Sequence, residues 1–255
     1  MQSTITIDMP SGEKAMGWLH HTPARSDTCV VIIHGHNAWG RRSRFQTLAN
    51  WLSHHGYDAV RWNVVRTEVA EKTFAVLPIT TERAQVRALL EKIRAQYKRI
   101  VLIGHSQGGL IALSLAAEPV TQHLVDAFVQ IVPVIDTRES VRDKLLSIGV
   151  SLDEFHRTGA TKVTYPNNET FVYDATYFDD LLKYDAHALY KQCAKPLLMI
   201  GATGDITVPL AEVEEGFSWA NEPKELFVID DVHNFSDENA MLIAKKINEW
   251  LREKQ

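Results

Sequence analysis

The chain has 255 residues, 45% of them hydrophobic and 23% charged, a balance that suits a globular enzyme with one large core. Its formal charge of −5 gives no electrostatic reason to expect a nucleic-acid partner. Cys29 and Cys193 are the two cysteines and exclude a disulfide framework; residues 1–20 lack the apolar core of a secretory signal, and no apolar run reaches the roughly 18–20 residues that span a bilayer, so a cytoplasmic protein with no membrane partner is expected.

In chain order, Ile5 and Ile7, then Met16 and Trp18, alternate with polar neighbours and predict two antiparallel strands joined near Pro10-Ser11-Gly12. Cys29-Val30-Val31-Ile32-Ile33 is a continuous apolar run, as in a strand covered on both faces, with Cys29 a buried thiol. Phe45, Leu48, Ala49, Trp51 and Leu52 follow at helical spacing, and Gly56 closes that helix. Residues 57–62 form the next strand. Val86, Leu89, Leu90, Ile93 and Tyr97 trace an amphipathic helix, with Thr80 or Thr81 as its N-cap.

Residues 100–103 are a buried strand running into a glycine-rich turn, and Leu110, Ile111, Leu113 and Leu115 continue as a helix. Residues 127–132 and 196–200 are further buried strands. Between them residues 137–149 read as a helix, and residues 163–165 and 170–173 as a hairpin around Pro166-Asn167-Asn168. Residues 225–229 form the last strand, and Met241, Ile243, Ile247, Trp250 and Leu251 a closing helix. Strands alternating with helices imply a parallel sheet with right-handed crossovers.

The turn after the strand at 100–103 reads Gly104-His105-Ser106-Gln107-Gly108. A serine hydroxyl is a poor nucleophile until a base takes its proton. A sharp strand-to-helix turn lifts the serine above the sheet edge and aims the next backbone N–H at a developing oxyanion. Gly104 and Gly108 permit the close approach that such a turn needs. The expected base is His233, just past the last strand, and the expected acid is Asp205, just past the strand before it. Both fall at the sheet edge where Ser106 emerges, in the order nucleophile, acid, base.

Among the eleven histidines, His54, His55, His156 and His187 lie away from strand ends. Asp230 and Asp231 end a strand but stand beside the histidine, and Asp179 and Asp180 read as structural surface groups. The second oxyanion donor is expected in the loop His34-Gly35-His36-Asn37-Ala38-Trp39-Gly40: the N–H of His36, paired with that of Gln107. A metal site at His34 and His36 is the competing reading, against which stands the lack of a nearby third ligand.

Ile33-His34-Gly35, the elbow 104–109, Gly204-Asp205-Ile206-Thr207-Val208-Pro209 and His233-Asn234-Phe235 together resemble the α/β-hydrolase superfamily across nearly the whole chain, most closely the esterases that cleave feruloyl and cinnamoyl esters. The resemblance implies a mostly parallel central sheet of about eight strands flanked by helices, with a core of residues 1–132 and 194–255 and an inserted cap, 133–193, after the sixth strand. It implies a serine carboxylic-ester hydrolase that acts through an acyl-enzyme on a small-molecule ester and requires no metal or organic cofactor. In the resembling esterases the insertion closes over the site and contacts the acyl group, so Asp136, Tyr165 and Tyr173, with Trp39, are the expected substrate contacts. Asp136 reads equally as a helix N-terminal carboxylate.

The chain departs from that branch at His36, where a hydrophobic aromatic is common, and after the fourth strand, where Trp62-Asn63-Val64-Val65-Arg66-Thr67 replaces a glycine-containing loop. Thioester and amide hydrolysis remain open, as does a non-catalytic small-molecule-binding protein of the same fold.

Overall fold

A computed structural model describes residues 1–9, 14–24, 26–64, 68–149, 151–165 and 168–253. β1 (Gln2–Asp8) and β2 (Lys14–His20) pair antiparallel; the expected joint at Pro10-Ser11-Gly12 lies outside the described residues. There follow β3 (Thr28–Ile33), α1 (Ser43–His54), β4 (Asp58–Asn63), the short strands β5 (Glu68–Ala70) and β6 (Thr73–Ala75), α2 (Ile79–Ile93), β7 (Arg99–His105), α3 (Gln107–Ala117) and β8 (Ala127–Ile131). The segment after β8 carries α4 (Thr137–Ile148), α5 (Leu152–Thr158), β9 (Ala160–Thr164), β10 (Thr170–Asp174), α6 (Ala175–Leu181) and α7 (Ala186–Gln192). The chain then returns through β11 (Leu197–Ala202), α8 (Leu210–Trp219), β12 (Lys224–Ile229) and α9 (Asp237–Glu253).

The main sheet has eight strands in the order β1-β2-β4-β3-β7-β8-β11-β12. β2 is antiparallel to both neighbours, and every pair from β4 to β12 is parallel. The apolar runs are continuous because both faces of the sheet are covered. Cys29, Val31 and Ile33 of β3, with Ile100 and Leu102 of β7, join a core with α2 and α3. The alternate residues Val30, Ile32, Val101 and Ile103 face α1 and α9 on the other side.

A second sheet, β5-β6-β10-β9, was not legible as such. β9 and β10 are antiparallel, as the hairpin reading required, though Pro166 and Asn167 lie outside the described residues. β10 also pairs in parallel with β6, so the inserted segment is joined to the stretch that follows β4. Residues 65–67, the end of the segment from Trp62 to Thr67 that departs from the resembling esterases, lie outside the described residues.

The start of α2 corrects two expectations. Neither Thr80 nor Thr81 is the N-cap: the helix begins at Ile79, after Pro78. The free N–H of Thr80, in the first turn, and its hydroxyl both donate to Asp180, at 2.7 and 2.8 Å. Asp180, expected at the surface, is therefore buried and caps a helix distant in sequence. Among the described residues no helix is long and apolar enough to cross a membrane.

Candidate active site

Ser106 sits between β7 and α3 with φ 53° and ψ −123°, a conformation that costs a non-glycine residue of order 1–3 kcal/mol. The surroundings hold it there. Its N–H donates to the Ile131 carbonyl (3.0 Å), and its own carbonyl accepts from Gly109 (2.8 Å) and Val134 (3.3 Å). A Cβ on Gly104 would lie 2.1 Å from the Gly108 oxygen, and one on Gly108 would lie 2.6 Å from the carbonyl oxygens of Ile33 and His34. Only glycine fits at either place, which is how the strand, the turn and the helix come close enough to expose Ser106.

The ends of β11 and β12 deliver two further groups to this point. His233 Nε2 lies 3.0 Å from Ser106 Oγ, and His233 Nδ1 lies 2.7 Å from Asp205 Oδ2. A carboxylate only accepts, so Nδ1 carries the proton and Nε2 is left to accept from the serine. The Asp205 side chain is fully buried. Its other oxygen accepts the N–H groups of Thr207 (2.8 Å) and Val208 (3.0 Å), which fix its rotamer. Asp231, which borders the same loop, is anchored within it: burial alone would raise its carboxyl, but the N–H groups of Ser236 and Val232, both at 2.8 Å, and the Asn239 side chain at 2.7 Å hold it down to about 2.

Opposite the elbow, His34 is buried, with Nε2 accepting from Val64 N–H (3.2 Å) and Nδ1 donating to the Gly35 carbonyl (2.9 Å). Nε2 thus ties the end of β3 to the residue after β4, and Nδ1 fixes the ring on the next peptide. Gly35 packs on Ser106, since a Cβ there would lie 3.0 Å from that of Ser106. A turn closed by Ala38 N–H on the Gly35 carbonyl (3.2 Å) then carries His36 alongside the serine. Gln107 opens α3, where a helix leaves its first N–H groups without intrahelical partners. Among the described residues no three His, Cys, Asp or Glu side chains gather in a metal-binding group.

A cavity of about 830 Å³ opens on Ser106, His36 and Gln107. Of the four expected substrate contacts only Asp136 lines it. Asp136 is also the N-cap of α4, its Oδ1 accepting from Arg138 (2.8 Å) and Glu139 (3.0 Å). Trp39 stands aside, donating Nε1–H to Glu169 (3.1 Å) and meeting Phe74 edge-on. Tyr165 and Tyr173 lie behind the cavity wall. The alternation of β10 turns Phe171 and Tyr173 inward, and the buried Tyr173 hydroxyl meets His36 Nε2 at 2.7 Å. Burial pushes the Tyr173 phenol up; at Tyr165 burial acts the same way but is outweighed by the Lys144 ammonium, 2.8 Å from its hydroxyl, which pulls that phenol down.

Several groups in or behind the cavity lining escaped sequence reading. Tyr177 sits in the seven-residue α6, too short to show a period. Glu82 did carry a signal: it shares the apolar stripe of α2 with Val86, Leu89 and Ile93, and its buried carboxylate accepts from Gln107 Nε2 at 2.7 Å. Glu139, Asp143, Glu212 and Glu215 join Asp136 around the cavity, and among the described residues Lys144 is the one Lys or Arg in its lining. Burial first, and then Asp136, Glu139, Asp143 and Glu215, raise the Glu212 carboxyl to about 7.

Residues 30–252 match the model of the alpha/beta hydrolase family. Est1E from Butyrivibrio proteoclasticus superposes with a TM-score of 0.77 at 17% identity, covering 98% of each chain. The esterase domain of a Rhodothermus marinus protein gives 0.75 at 21% identity over 99% of this chain and 98% of that one. The alpha/beta hydrolase GrgF from a Penicillium species gives 0.73 at 16% identity over 97% of each. At these identities the likeness is one of fold. No curated protein sequence matches the chain.

Proposed function

The chain belongs to the alpha/beta hydrolase family, and from that premise we propose that it hydrolyses a small carboxylic ester through an acyl-enzyme on Ser106. The observation that carries this reading is the continuous line from Asp205 Oδ2 through His233 to Ser106 Oγ, at 2.7 and 3.0 Å, opening on a cavity. His233 Nε2 takes the serine proton as Oγ attacks the ester carbonyl, and Asp205 stabilises the imidazolium that forms. The N–H groups of His36 and Gln107 receive the oxyanion. His233 then protonates the leaving alcohol, and water repeats the sequence on the acyl-enzyme.

The proposed substrate class is a neutral aromatic ester of the hydroxycinnamoyl kind. Est1E, which shares the fold, is known with ferulic acid bound. A cavity of about 830 Å³ is within the roughly 300–1,000 Å³ of small-molecule sites. Its carboxylates suit a phenolic donor and disfavour an anionic substrate; they also repel the carboxylate product, which helps it leave. Asp136, whose Oδ1 serves α4, is our candidate acceptor for the phenol. Methyl ferulate, p-nitrophenyl acetate and an acyl thioester compared on one enzyme preparation test this reading. A kcat/KM highest for the ferulate supports it, and a preference for the thioester replaces it.

A further inference from the structure

His36 and Gln107, whose backbone N–H groups are the proposed oxyanion donors, have their side chains held by the inserted segment. His36 Nε2 lies 2.7 Å from the hydroxyl of Tyr173 on β10, and the Tyr177 hydroxyl, on α6, donates to Gln107 Oε1 at 3.0 Å. The other end of the Gln107 amide donates to Glu82, so that side chain is fixed at both termini. Tyr177 also lays its ring beside the His36 imidazole, with centroids 4.9 Å apart and planes 30° apart. Tyr173 is itself held, receiving Asn37 Nδ2 at 2.5 Å and lying 3.2 Å from the Tyr165 hydroxyl. Both tyrosines are buried.

We propose that Tyr173 and Tyr177 are positioning residues of the oxyanion hole, each fixing one of its two donor residues from the inserted segment. The inference rests on the reading of Ser106 as nucleophile. An oxyanion hole works because its donors are already oriented when charge develops, with no reorganisation left to do. His36 follows a glycine, and Gln107 begins a helix at a strained turn, so neither peptide is fixed by a strand ladder. The hydroxyls supply that restraint through the side chains. The inserted segment is thereby part of the catalytic frame, consistent with the pairing of β10 to β6.

The test is Tyr173→Phe and Tyr177→Phe, which remove the hydroxyl and keep the ring. With p-nitrophenyl acetate each is expected to lower kcat by about tenfold or more while KM stays within about twofold, since the lost interaction serves the transition state. Affinity for a trifluoromethyl ketone, which places an oxyanion in the hole, is expected to fall by a matching factor. Phe178→Leu is the control. Phe178 is buried against both tyrosines, at centroid distances of 6.0 and 5.1 Å, but makes neither hydrogen bond. It is expected to change kcat by less than about threefold.

Wild-type kcat and ketone affinity in both tyrosine variants would overturn the proposal, as would equal losses in Phe178→Leu. Tyr173→Phe also removes a partner of Asn37 and Tyr165; should it fail to fold, Tyr177→Phe decides alone. Ester hydrolysis surviving in Ser106→Ala would instead overturn the reading of the nucleophile, so the two failures are distinct.

Discussion

His105 Nε2 lies 2.8 Å from the main-chain carbonyl oxygen of His233. The carbonyl only accepts, so Nε2 carries a proton and donates. Burial, with the neighbouring His233 adding to it, keeps the His105 imidazole neutral by lowering its pKa well below the usual range. His105, the residue before Ser106, therefore holds the backbone of His233. From the other side Arg44 donates to the Asn234 carbonyl (3.2 Å) and side chain (2.8 Å) and stacks on Phe235.

His105→Phe keeps the aromatic contacts with Phe45 and Phe235 and removes the donor. Losing a buried hydrogen bond costs about 1–3 kcal/mol, and with the base loop released kcat/KM is expected to fall by about ten- to a hundredfold. Steady-state kinetics with one p-nitrophenyl ester checks this. Unchanged kinetics would show that the loop is held without His105.

Gly104→Ala is expected to destabilise the protein by more than about 3 kcal/mol or prevent folding, because its Cβ would lie 2.1 Å from the Gly108 oxygen and 2.5 Å from the Gly109 nitrogen. Gly56→Ala meets no atom within 4 Å and bears only the strain of φ +101°, about 1 kcal/mol. Urea unfolding of the two variants measures the contrast. A Gly104→Ala protein within about 1 kcal/mol of wild type would contradict this account of the elbow.

The elbow was legible because its parts are local: four apolar residues, two close-packed glycines and a helix. The strand ends were legible for a related reason, since a buried parallel strand shows as an unbroken run and fixes where Asp205 and His233 emerge. The second sheet was not. β5 and β6 have three residues each, and β6 pairs with β10 across almost a hundred residues of chain. Tyr165, Tyr173 and Trp39 are expected substrate contacts on the strength of the resemblance, not of a local pattern. Their places outside the cavity lining are set by the β6–β10 pairing and by partners such as His36 and Glu169, none of which a local pattern encodes.

Glu212 provides a pH test. Burial and its acidic neighbours raise its carboxyl from an ordinary 4.5 to about 7, so between those values the native state binds the proton more tightly than the unfolded chain. This group's contribution to stability therefore falls as pH rises from about 4.5 to about 7 and stays low above that. Glu212→Gln is expected to raise the Tm at pH 8, with the gain over wild type shrinking towards pH 4.5. Differential scanning fluorimetry across that range checks it, and a gain independent of pH would contradict the assignment.

Whether Ser106 is the nucleophile is decided by Ser106→Ala, read as ester hydrolysis alongside mass-spectrometric mapping of a fluorophosphonate adduct on the wild-type enzyme. With Ser106 as nucleophile, one adduct, on Ser106, is expected, and a loss of at least about four orders of magnitude in kcat, since the members of such a triad act as a unit. An alanine variant within about tenfold of wild type, or an adduct on another residue, would contradict it.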